Sequence, residues 1–210
     1  MKESLKHKVT IIVLGRSGSG KGTQAEFIVD HLGKTTRHIE TGKILRTLIQ
    51  KKSNATMRIA STLMEQGKLF PSWFGAFAWL KEIIEKGYGD KHLVFDGAPR
   101  KVGEAKLIDE VIGWHNRPAP LCVYVDISRS EATRRLLARG RDDDHKAAIK
   151  SRMDFFEKDV LPVVEYYRDQ NRLLPVNGEL SIEEVQQEIG RALASHLDKL
   201  WPSPSKLKKK

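Results

Sequence analysis

Short apolar runs alternate along the chain with longer stretches of helical period. Val9–Leu14 is apolar and β-branched without a polar break, the pattern of a strand buried on both faces. His92–Phe95, Leu121–Ile127 and Leu173–Val176 repeat that pattern, and the short segment Arg37-His38-Ile39-Glu40 is a further candidate strand. Between these runs the pattern predicts helices over Gly22–His31, Gly42–Gln50, Ala55–Gln66, Ser72 to about Lys86, Lys101–Trp114, Ser128–Arg139, His145–Gln170 and Ser181 to about His196. Thr41 and Ser72 read as N-caps, and Ser128-x-x-Glu131 and Ser181-x-x-Glu184 as capping boxes. Gly67 and Gly87-Tyr88-Gly89 stop helices, Lys51–Asn54 and Gly140–Asp144 are turns, and Pro162 predicts a kink in the long helix. Strands separated by helices imply an α/β fold with a parallel sheet covered on both faces. Residues 40–70 carry two helical segments with no strand between them, so they form a small helical insertion rather than a βαβ unit.

The first strand runs straight into Gly15-x-x-x-x-Gly20-Lys21, and a helix follows. Strand, glycine loop and helix make this a phosphate-binding loop rather than a loose glycine pattern. Gly15, Gly18 and Gly20 let backbone N–H groups converge on an anion, the helix start adds partial positive charge, and Lys21 adds a full one. Ser19 lies within the loop. The residue after Lys21 is Gly22, so the hydroxyl arrives one place late, at Thr23.

Composition adds limits. At 210 residues, with 40% apolar and 30% charged residues, one soluble globular domain over 1–201 is expected, with a core large enough to need no staples. The single cysteine, Cys122, sits in an apolar run and reads as core; no Cys-x-x-Cys metal site exists. No apolar stretch reaches membrane-spanning length and no secretory leader precedes Val9, so a cytoplasmic protein is expected. The net charge of +10 suits an anionic partner, nucleotide phosphates or a nucleic-acid backbone. Part of it lies in the tail 202–210, which contains Pro202, Pro204 and four lysines and is expected to be disordered. That tail leaves weak nucleic-acid contact open.

Four segments in order resemble the adenylate kinase family: Gly15-Arg16-Ser17-Gly18-Ser19-Gly20-Lys21-Gly22-Thr23-Gln24, Thr41-Gly42-Lys43-Ile44-Leu45-Arg46, Asp96-Gly97-Ala98-Pro99-Arg100, and the set Arg135, Arg139, Arg141 and Arg152 with Asp143 and Asp144. The resemblance covers about Val9 to Ala194. It implies a P-loop kinase core with a five-stranded parallel sheet, a monophosphate-binding insert at about 40–70, a minimal lid at about 139–145, and a monomer. It further implies that MgATP and AMP are converted to two ADP. Gly18, Ser19, Gly20, Lys21, Gly22, Thr23, Arg135, Arg139 and Val176 would then hold ATP, the last through backbone contacts to the base. Thr41, Gly42, Arg46, Leu69, Phe70, Gly97, Arg100, Glu104, Arg141 and Arg152 would hold AMP. Lys21, Arg100, Arg139, Arg141 and Arg152 would act in catalysis. Arginine suits these roles because its planar fork matches phosphate, and each closing contact is worth about 10³ or more in rate. Asp96, at the end of a parallel strand, can hold the water shell of Mg²⁺, with Thr23 as the second metal contact. Other monophosphates (GMP, CMP or UMP), or a nucleotide-binding RNA- or ribosome-associated factor, are the rival readings.

Several positions depart from the family pattern. The lid is reduced to Arg139-Gly140-Arg141, with no room for a zinc site. Lys43 stands where Asp is usual, Ala98 where Phe is usual, and Glu104 where adenine-reading members carry Gln. Phe70 is a candidate for the acceptor pocket; Trp73 and Phe74 read as core or hinge packing. His7, His38, His92 and His115 have no partner pattern, and His145 reads as solvent-exposed.

Overall fold

A computed structural model describes residues 8–50, 54–87, 91–141 and 144–197. The tail 202–210, Tyr88, Gly89 and Asp143 therefore lie outside the described residues. Five parallel strands, β1 Thr10–Gly15, β2 Thr36–Glu40, β3 His92–Asp96, β4 Leu121–Asp126 and β5 Leu173–Asn177, form one sheet in the order β2-β3-β1-β4-β5. The helices are α1 Lys21–Leu32, α2 Thr41–Gln50, α3 Ala55–Glu65, α4 Ser72–Lys86, α5 Val102–Trp114, α6 Arg129–Arg139, α7 Lys146–Phe155, α8 Leu161–Asp169 and α9 Ile182–Leu197. Every residue of β1 is buried, as its unbroken apolar run requires. Ile12 and Leu14 pack on one side with Trp79, Phe95, Phe156 and Tyr167; Ile11 and Val13 pack on the other with Ile28, Val125 and Ile189. Cys122 is buried, as expected. Among the described residues no helix is long and apolar enough to cross a membrane.

Two small cores hold the elements on either side of the site. Leu45, Ile49, Ala60, Phe74 and Ala78 join α2, α3 and α4 into the insertion. Ile127, Ala132, Leu136, Ile149 and Met153 join α6 to α7.

Several local expectations need correction. Thr41 is not a cap: β2 passes directly into α2, Thr41 is its first residue, and its buried Oγ1 has no hydrogen-bond partner among the described residues. Ser72 likewise opens α4 from within, behind Pro71, and makes no N-cap. Asn54 instead caps α3, its Oδ1 accepting from Met57 N at 3.0 Å. Only half of the first capping box forms. Ser128 Oγ accepts from Glu131 N, but the Glu131 carboxylate turns to Arg134 and Arg135, and Ser128 N donates to Glu179. The second box is complete at Ser181 and Glu184. The long helix is not bent at Pro162 alone. A π turn over Phe156–Val160 separates α7 from α8, and Leu161 N donates to Phe156 O five residues back. Pro162, at the start of α8, has no N–H to donate, and the wide turn before it absorbs the break. Phe74 is core, whereas Trp73 is 63% exposed on the outer face of α4.

Candidate active site

The C-terminal ends of β1, β2 and β3 open onto a cleft of about 530 Å³ between the phosphate loop, the insertion and the α6–α7 pair. Its floor is the loop. Gly18 has φ +89°, and a Cβ there would stand 2.8 Å from Ala132 O, so only glycine lets the loop lie against α6. Lys21 Nζ donates to Arg16 O at 2.8 Å, and Ser19 N donates to the same carbonyl at 3.1 Å. Burial lowers the Lys21 ammonium to about 8; Asp96 opposes that shift, while Arg100, Arg139 and Arg152 reinforce it.

On the insertion side, Gly42 and Gly97 face each other across the β2–α2 junction. A Cβ on Gly97 would lie 3.6 Å from Gly42 N and 3.8 Å from Arg100 Nη2. The Arg46 guanidinium folds over Gly42, with Nη1 3.4 Å from a Cβ built there. Arg100 Nε donates to Gly97 O at 3.0 Å, and its guanidinium lies 5.7 Å from the Phe155 ring. Two arginines, two glycines and the orphan Thr41 hydroxyl thus border one small space.

The opposite wall is organised by Asp144, whose side chain is fully buried at 0% exposure. Arg139 Nε and Nη2 donate to its two oxygens at 2.8 Å each, Arg152 Nη1 donates at 2.7 Å, and Arg141 N at 3.3 Å. Burial alone would raise this carboxyl, but the hydrogen bonds and charge of Arg139 and the Arg152 hydrogen bond outweigh it and hold it below the usual carboxylate range. His145 caps α7, accepting from Ala148 N, while its Nε2 lies 3.0 Å from Glu65 O at the end of α3. Gly67 packs there too, a Cβ on it meeting Ala148 O at 2.5 Å. His145 is exposed, as expected, yet it ties the arginine wall to the insertion.

The adenylate kinase family model matches residues 13–172. The chain belongs to the adenylate kinase family. It is 33% identical over 185 residues to adenylate kinase 1 of Nostoc sp., covering 88% of this chain and 98% of that protein. It is 34% identical over 202 residues to adenylate kinase isoenzyme 1 of Gallus gallus, covering 94% and 98%. With adenylate kinase isoenzyme 1 of Sus scrofa it shares 35% identity over 204 residues, covering 95% and 100%. The family makes it a nucleoside monophosphate kinase, a phosphotransferase with nucleotide substrates.

Against that family pattern, the cleft gathers Gly18, Gly20, Lys21, Gly22 and Thr23 with Asp96 on the loop side. Thr41, Gly42, Arg46, Leu69, Phe70, Gly97, Arg100 and Glu104 line the insertion side, and Arg135, Arg139, Arg141 and Arg152 the arginine wall. Two expected residues do not line the cleft with their side chains. Ser19 is 2% exposed, with its hydroxyl buried behind the loop. The Val176 side chain packs in the core beside Val123 and Val125. Arg135 reaches toward that strand end, donating to Gly178 O at 2.9 Å. The unusual Lys43 is paired with Glu40 at 3.2 Å, so its charge is matched at the cleft wall.

Sequence reasoning missed Gly75. It lies in α4 against Glu104, whose Oε1 would be 2.5 Å from a Cβ on Gly75, while Oε2 accepts from Arg100 N at 2.6 Å. A glycine inside a helical pattern was the available signal. Gly75→Ala should push the Glu104 carboxylate off Arg100 and raise the acceptor KM by about tenfold, the scale of one mismatched buried polar group. Initial rates against acceptor concentration measure this; an unchanged KM would mean that Glu104 moves aside without effect.

Proposed function

We propose that the chain transfers the terminal phosphoryl group of MgATP to AMP, giving two ADP. The observation that carries this reading is the convergence, in one cleft, of the phosphate loop with Arg46 and Arg100 on one side and the Arg139–Asp144–Arg152 cluster on the other. Family membership supports the same reaction. An oxygen of the acceptor α-phosphate attacks the γ-phosphorus, and the bond to the β,γ-bridging oxygen breaks. No protein base is needed, because the acceptor phosphate is the nucleophile. What the protein supplies is position and positive charge. The loop amides and Lys21 hold the donor phosphates. Arg46 and Arg100 hold the acceptor phosphate at the Gly42–Gly97 junction. Arg139, Arg141 and Arg152 face the group in transit, with Asp144 fixing the two guanidinium groups that it binds.

Adenylate kinases use MgATP in general, and the residues here fit the ion. Asp96 lines the cleft beside the loop, its Oδ2 3.7 Å from a Cβ built on Gly22, and Thr23 lines it from α1. Among the described residues no three His, Cys, Asp or Glu come together as a metal cage, and Mg²⁺ beside phosphates takes most of its ligands from phosphate and water. When bound, the ion supplies charge neutralisation at the donor phosphates.

AMP as acceptor turns on Glu104. Its Oε2 accepts from Arg100 N, and its Oε1 faces Gly75 at the cleft. Burial raises this carboxyl, and the Arg100 amide and charge do not cancel the effect. A protonated Glu104 can donate to adenine N1; an ionised one is acceptor-only and suits guanine better. Activity with AMP should therefore fall as pH rises through the Glu104 pKa, and Glu104→Gln should remove that limb, raise kcat/KM for AMP and lower any activity with GMP. The test is a coupled ADP assay with AMP, GMP, CMP and UMP. A preference for GMP by more than about tenfold, the scale of one mismatched buried polar group, would overturn AMP as the acceptor.

A further inference from the structure

Arg16 is the second residue of the phosphate loop, and the reaction as derived gives its side chain no role. Yet that side chain does not point to solvent; it is 15% exposed. Its Nε donates to Ile127 O at 3.0 Å, in the connection between β4 and α6. Its guanidinium lies over Phe156, Cζ 4.3 Å from the ring centroid, and Nη1 is 3.6 Å from Glu157 Oε1. Phe156 and Glu157 open the π turn that follows α7. Glu157 also accepts from Arg129 at the start of α6, and Arg129 reaches on to Asp154 of α7 at 2.7 Å.

One residue therefore joins three segments, its side chain reaching two of them and its carbonyl the third. Its own loop holds Lys21 through the Arg16 carbonyl. The Ile127 connection leads into α6, which carries Arg135 and Arg139. The π turn ends α7, which carries Arg152. Stacking and a fixed fork are properties of guanidinium that lysine does not share. A π turn beside a functional helix is a common place for such fixing contacts.

We propose that Arg16 is a positioning residue that holds the phosphate loop in register with the two arginine-bearing helices, α6 and α7. It touches no reacting atom. It sets the distance between the cation that grips the donor and the cations that meet the transferring group. This rests on the phosphotransferase reading for its kinetic consequence, but not for its structural one. Misplacement of a catalytic group by about 1 Å from a remote change can cost about 10² in rate.

The experiment compares wild type, Arg16→Met, Arg16→Lys and Glu157→Gln by steady-state kinetics and by amide hydrogen exchange. Arg16→Met keeps the stem that covers Phe156 and removes the fork. It should lower kcat about tenfold to a hundredfold while KM for both nucleotides stays within about threefold. Exchange should quicken in residues 15–22, 127–131 and 156–160 together and stay unchanged in α9. Arg16→Lys should recover part of kcat, and Glu157→Gln, at an exposed partner, should give a smaller loss in the same direction. A wild type without turnover would count against the proposed reaction alone, because the exchange pattern is read independently. Wild-type kcat in a folded Arg16→Met, or, if neither arginine variant folds, in Glu157→Gln, would overturn the proposal. So would quickened exchange confined to the loop, since the helices would then not be coupled to it.

Discussion

Lys21→Ala is expected to lower kcat/KM for ATP by about 10³ or more while leaving the fold intact. The size follows from the role proposed for the lysine: it would bring a full charge from the loop to the donor phosphates, and charge placed where the transferring group passes carries most of phosphoryl-transfer catalysis. The fold should survive because the Lys21 side chain donates within its own loop and belongs to none of the four cores. Its pKa of about 8, below the ordinary 10.5, adds a second signature. Between those values the unfolded chain holds more protons than the folded one, so the stability of the ligand-free protein rises with pH across that window. Nucleotide affinity runs the other way. Phosphate binding needs the protonated amine, so affinity should fall above about pH 8 and binding there should take up a proton. Titration calorimetry in buffers of different ionisation enthalpy detects that uptake, and Lys21→Ala should abolish it. Residual activity near wild type in a folded mutant would remove the phosphate-loop assignment.

The second large effect is expected at Asp144. Its carboxylate receives two guanidinium groups and a backbone amide with no exposed surface of its own. Removing one partner of a buried ion pair costs about 3–5 kcal/mol. Arg139 is 34% exposed and recovers part of that from water, so Asp144→Ala should lose about 2–3 kcal/mol. The kinetic loss should be larger than the stability loss suggests, roughly 10² in kcat, because Arg139 and Arg152 lose their common anchor at once. The depressed carboxyl gives the pH sign. The stabilisation is whole above the ordinary carboxylate pKa and is lost as pH falls through the lower folded value. Asp144→Asn should flatten that acid limb in a thermal-unfolding series. A mutant with wild-type kcat would show that the arginines find their positions without it.

Much of this fold was legible in the sequence because its signals are local. A β-branched run buried on both faces, a glycine loop behind it and Ser181 three residues before Glu184 carry their own geometry. Misreadings arose where chemistry was local but geometry was not. Thr41 and Ser72 have the right side chains for caps, but β2 runs directly into α2 and Pro71 leads directly into α4, so neither occupies the half-turn outside a helix. Asn54 does. In the site, the arginines were visible as a set through the family resemblance, yet what joins the guanidinium groups of Arg139 and Arg152 is a single buried carboxylate. Of the acidic pair read there, the described member is Asp144. What no periodicity contains is contact across great sequence distance. His145 meets Glu65 across 80 residues, Arg16 meets Ile127 across 111, and Gly75 is required by Glu104 on another helix. The resemblance assigns Val176 a backbone contact to the base, and its side chain packs in the core with Val123 and Val125.

The π turn makes chain length a constrained variable between α7 and α8, beside composition at its buried positions. Lys158 is exposed and most side chains fit there, whereas Phe156 and Val160 are buried and Glu157 pairs with Arg16 and Arg129. α8 is fixed to the core through Val163, Val164 and Tyr167, and a residue removed from Phe156–Val160 would restore an unbroken α-helix while turning everything before it by about 100°. Arg152 would then swing off Asp144 although every residue of the active site was still present. The segment acts as a phase setting, so an insertion or deletion within it should disable the site more than an exchange of its exposed Lys158 would.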